Sequence, residues 1–65
     1  MTIGSILIRF RNEVGISQEE VCKGICQVST YSGYEAGKKV PDMLCLQLFL
    51  ERMGQSVEGI AVYVT

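Results

Sequence analysis

Histidine is absent from this 65-residue chain, and with it go the commonest general base and the commonest nitrogen ligand of zinc. Cysteine is scarce and odd in number, so Cys22, Cys26 and Cys45 cannot all pair within the chain. A third thiolate alone does not complete a tetrahedral zinc site. The three are read as reduced, small hydrophobes, and neither a metal nor a cofactor is expected. Convincing paired carboxylates and a glycine-rich phosphate loop at a strand-to-helix junction are missing too, and so short a chain has no room for a deep pocket. With no activating base beside the cysteines, the chain is not read as an enzyme.

Long apolar runs are also lacking. The richest stretch, residues 43–50, is interrupted by Gln47 and is far too short to cross a bilayer. Ile3, Ile6, Leu7 and Ile8 come before Arg9 and Arg11, the reverse of the order in a secretory leader. The cytosol is therefore the expected compartment, with no membrane partner. Positive charge is not in excess either, since six basic side chains face seven acidic ones. Nucleic-acid binders usually carry a basic footprint. A near-neutral total leaves room for one only if Lys23, Lys38 and Lys39 gather on one face.

What the chain does contain is an apolar fraction of almost half, enough for one globular domain over residues 1–65. Ile3, Ile6, Leu7, Phe10 and Val14 recur at helical spacing and predict a helix over about 3–14, capped by Thr2 and ended by Gly15. Ser17-Gln18-Glu19-Glu20 is a capping box, and Ile16 and Val21 sit where a hydrophobic staple places its apolar pair. They predict a second helix over about 18–24, weakened by Gly24. A third short helix, about 29–35 and beginning at Ser29 or Val28, has poor intrinsic propensity and must be held by packing through Tyr31 and Tyr34. Residues 38–41, Lys-Lys-Val-Pro, read as an exposed connection. Asp42 then caps a fourth helix over about 43–53, closed by Gly54. After Ser56 the signals conflict, and a last helical turn over 57–63 competes with a strand favoured by Ile60, Val62, Tyr63 and Val64.

Two short helices joined by a tight connection, after a longer helix and before another, make a helix-turn-helix layout. Residues 15–41, GISQEEVCKGICQVSTYSGYEAGKKVP, together with Arg11 four residues before Gly15, resemble the central signature of the lambda-repressor-like (Cro-type, XRE) helix-turn-helix family. The likeness runs over about residues 3–60. It implies an all-α bundle of four to five short helices that binds double-stranded DNA as a sequence-specific transcriptional regulator, with the third helix in the major groove. The Cys-Gln-Val-Ser-Thr form of the turn is similar to the N-terminal domains of Gram-positive regulators whose remaining chain is a tetratricopeptide-type array.

The resemblance also implies roles. Arg11 and Glu35 would form a buried ion pair, whereas without it they are two surface charges. Gln18 would bind a phosphate at the start of the second helix, its plain alternative being a good helix former beside a cap. Gln27, Val28, Ser29, Thr30, Ser32 and Gly33 would lie toward the bases, with Val28 suited to a thymine methyl and the serines to several bases. Gly33 departs from the family, which commonly carries a long polar or basic side chain there. Tyr31 is read as core rather than contact. Lys38 and Lys39 would grip phosphates, with Lys23 a weaker candidate of the same kind, although solvated lysines also serve merely to keep a loop soluble.

The fourth helix is apolar on more than one face. Leu46, Phe49, Leu50 and Met53 make one core stripe, which leaves Leu44 and Leu48 to meet the C-terminal segment, a second chain in a homodimer, or a downstream domain. The rival to DNA binding is a protein-interaction adaptor on the same fold, favoured by the acidic balance, Gly33 and this apolar surplus.

Overall fold

The computed structural model describes residues 2–55, and within them the chain folds as four helices. These are α1 (Ile3–Val14), α2 (Gln18–Cys22), α3 (Val28–Glu35) and α4 (Met43–Arg52). The fold is all-helical, as expected, with no strand among the described residues. The predicted turn over 57–63 lies outside them.

Most helix ends follow from local chemistry. Thr2 accepts from the Ser5 amide at 3.1 Å while the Thr2 amide donates to Ser5 Oγ, a reciprocal box at the start of α1. Ser17 and Glu20 form the second box at the start of α2, and Asp42 Oδ1 accepts from the Cys45 amide at 2.8 Å to open α4. That bond holds the Asp42 carboxyl below the usual carboxylate range. The end of α3 is a Schellman motif: Lys38 N–H donates to Gly33 C=O at 2.9 Å and Gly37 N–H to Tyr34 C=O at 3.2 Å. It requires Gly37 at φ 79°, a left-handed conformation that costs a glycine nothing.

Two helix ends differ from expectation, and one start is decided between its alternatives. The second helix stops at Cys22 instead of running to 24, because Lys23 (φ −59°, ψ 124°) and Gly24 (φ 79°) are the central residues of a type II turn. That turn is closed by Ile25 N–H donating to Cys22 C=O at 2.9 Å. The third helix starts at Val28, the earlier of its two anticipated positions, and the fourth ends at Arg52 rather than 53. The connection over 38–41 is not exposed throughout, since Pro41 is buried where the chain turns into α4.

One core holds the helices together. Ile6, Leu7 and Phe10 come from α1, Val21 and Cys22 from α2, Tyr31 from α3, and Leu46, Phe49 and Leu50 from α4, with Met53 just beyond it. Burying each of the larger side chains contributes roughly 1.5–3 kcal/mol. The Tyr31 and Phe49 rings meet edge to face, with centroids 5.0 Å apart and planes at 77°. The stripe read from the spacing of α4 is the one that faces this core, whereas Leu44 is exposed and Leu48 half-buried.

Candidate nucleic-acid interface

The two helices of the turn are anchored from beneath. Arg52 Nη1 donates to Glu20 C=O at 3.1 Å, tying α4 to α2. On the other side, Arg11 Nε and Nη2 donate to Glu35 Oε2 and Oε1 at 2.7 and 3.2 Å, a two-pronged ion pair between α1 and the last residue of α3. Only 18% of the Arg11 side chain and 6% of the Glu35 side chain are exposed, so this is an interior pair rather than a surface one. A third bond, from Arg11 Nη1 to Ile16 C=O at 3.1 Å, adds the connection before α2.

Gln18 joins the same cluster, and this was not foreseen. Its Nε2 donates to Glu35 Oε1 at 2.9 Å, so α2 and α3 are bridged through one carboxylate that receives three hydrogen bonds. Burial alone would push the Glu35 carboxyl up. The bonds from Arg11 and Gln18, together with the nearby Tyr31 hydroxyl, outweigh it and hold the group below the usual range. The Tyr31 hydroxyl is itself fully buried and makes no hydrogen bond of good geometry. Burial, and then the neighbouring Glu35 carboxylate, push its pKa far up.

A second feature that sequence reasoning missed is Gly4. A Cβ there would stand 2.6 Å from the backbone carbonyls of both Tyr34 and Glu35. The first turn of α1 therefore presses against the C-terminal end of α3 at a distance only glycine permits. Its one signal in the sequence is a glycine inside an otherwise apolar helical pattern.

With Tyr31 facing the core and Glu35 turned into the ion pair, the outer side of α3 is uncharged. Gln27, Val28, Ser29 and Ser32 are exposed, while Thr30 and Gly33 are half-buried. Gln27 stands in an extended conformation at the head of α3, and its side chain makes no capping bond. The α3 end turns the chain back, because Lys39 N–H also reaches Gly33 C=O, at 3.3 Å. Lys38 and Lys39 are thereby exposed beside α3, in no ion pair among the described residues. Lys23 is exposed in the type II turn between α2 and α3.

Nothing else among the described residues assembles a site. No group of three or more acidic or cysteine side chains there could hold a metal ion, and no helix is long and apolar enough to cross a membrane. Beyond the interface, the largest exposed apolar side chains are Val40 (77% exposed), Met43 and Leu44 (65% each), at the start of α4.

A model of the helix-turn-helix family matches residues 7–60, most of the chain, including α2, α3 and the loop after them. Neither the curated proteins nor the solved structures yield a match.

Proposed function

Because the chain belongs to the helix-turn-helix family, in its Cro/C1-type (XRE) branch, and is a DNA-binding module of that kind, we propose that it reads a specific double-stranded sequence as a transcriptional regulator. In this reading α3 enters the major groove and α2 lies across the backbone. Val28, Ser29, Thr30 and Ser32, with Gln27 at the helix head and Gly33 on the same side, face the base edges. Lys38, Lys39 and the second amide hydrogen of Gln18 take phosphates. A homodimer formed through α4 or the C-terminal segment would match a two-fold operator. The likeness to tetratricopeptide-containing regulators suggests an effector-sensing partner domain, with the cytosol as compartment.

The observation that carries this is the division of α3. Its only carboxylate is turned inward and neutralised, while Ser29 and Ser32 are exposed with two lysines beside them that form no ion pair among the described residues. A net-acidic chain thus offers phosphates a face that does not repel them. Binding to random duplex DNA across a salt series is the first test, and affinity should fall steeply as salt rises. Selection from a randomised duplex pool is the second, and a two-fold symmetric consensus is the expected result. Absence of binding even at low salt overturns the reading.

One observation favours an adaptor instead. Val40, Met43 and Leu44 are exposed apolar side chains at or just before the start of α4, which suits a protein partner. In that case the chain would bind no random duplex at any salt.

A further inference from the structure

The sharpest departure in α3 is a helix position facing outward with no side chain to offer, Gly33, and the structure fills it from elsewhere. The point where a Gly33 Cβ would stand lies 3.6 Å from Lys39 Cδ and 3.8 Å from Lys39 Cγ. The Lys39 stem therefore packs over the glycine, where a side chain of α3 would begin. Two further features hold it there. Lys38 and Lys39 both donate their backbone amides to Gly33 C=O, at 2.9 and 3.3 Å, and Gly37 makes the reversal that brings them back. A side chain longer than alanine at position 33 would compete for the space that the stem occupies.

We propose that Lys39, instead of taking a phosphate as in the reading above, is a specificity-determining residue, supplying across Gly33 the long cationic side chain that α3 itself lacks. The ammonium is two bonds beyond Cδ on an exposed residue, so from the stem's place beside Gly33 it is within reach of what α3 faces. In a major groove its partner of choice is guanine, whose O6 and N7 are adjacent acceptors. Lys38 has no such contact with α3 and remains an ordinary phosphate ligand. This inference rests on the DNA-binding reading above.

Base preferences selected by the unaltered protein set the reference. Lys39→Met keeps the stem over Gly33 and removes only the charge. It should relax a guanine preference at one base pair of the site by about tenfold and leave the other positions unchanged. Lys38→Met should weaken every sequence alike. In a Gly33→Gln background the stem is displaced, so adding Lys39→Met should leave the preference at that base pair as it stands. Uniform weakening by Lys39→Met, or the same loss of preference in both backgrounds, overturns the proposal while leaving DNA binding intact. If the unaltered protein retains no duplex at low salt, the parent reading fails and takes this one with it. Unchanged thermal unfolding of the exposed-lysine variants separates each result from loss of fold.

Discussion

The two helices of the turn are made by opposite means. α2 is specified locally: a capping box, two glutamates in its first turn and a type II turn after Cys22 leave five residues little choice. α3 has none of this. Gln27 gives it no side-chain cap, and Thr, Tyr, Ser and Gly make a poor helix in isolation. Apart from the Schellman turn at its end, it is held by tertiary contacts, with Tyr31 in the core, Glu35 clamped by Arg11 and Gln18, and Gly4 pressed against its last carbonyls. A helix held from behind has its front to spare. Its outward residues carry no structural duty and can be chosen for what they touch.

That contrast breaks first, and most severely, at Arg11. Arg11→Ala leaves an interior carboxylate without its counter-charge and should cost about 3 kcal/mol or more, measured by denaturant unfolding. For a domain of this size that approaches the whole stability. Its pH signature is specific. Because the folded Glu35 carboxyl is held low, its contribution is fully present above the ordinary value of 4.5 and is lost as pH falls through the lowered one. The variant should lose that acid dependence. An unchanged unfolding midpoint would refute an interior pair.

Gly4→Ala comes next. Alanine is the better helix former, yet its Cβ would meet two backbone carbonyls at 2.6 Å, and neither can swing aside as a side chain would. A loss of roughly 1–3 kcal/mol is expected, with α1 and α3 forced apart. Stabilisation by the same change would mean that the close approach is not required. Smaller again, Ser17→Ala removes the cap of α2 and should cost about 1 kcal/mol. Its effect should fall on α2, with the outer face of α3 unchanged in hydrogen exchange.

How far the sequence disclosed all this follows the same divide. The starts of α1, α2 and α4 were legible because Thr2, Ser17 and Asp42 act on amides three residues away. The core stripe of α4 was legible because its spacing repeats. The end of α2 was not, because Gly24 weakens a helix and reverses a chain equally well, and only the left-handed φ decides between them. Arg11 and Glu35 lie 24 residues apart and were paired through family likeness, with no local pattern to join them. The bond from Gln18 to Glu35, the closeness of Gly4 and the Lys39 stem over Gly33 arise only when helices meet. No periodicity encodes them.

Gly33→Ala is the mildest change and the one that sharpens the comparison most. It repeats the Gly4 substitution in a second helix, and the surroundings reverse its sign. Here the new Cβ meets only the flexible Lys39 stem, at an ordinary contact distance of 3.6 Å, and no backbone stands in the way. Removing a glycine from a helix interior should then stabilise the domain by about 0.5–1 kcal/mol, read as a raised thermal midpoint. The opposite responses of two glycines in touching helices would place the boundary between structure and contact inside α3 itself. Its Gly4-facing end is fixed by packing, and its Lys39-covered side is free. A loss of stability at Gly33 would erase that boundary, because the fold would then depend on the outward side of α3 as much as on the inward one.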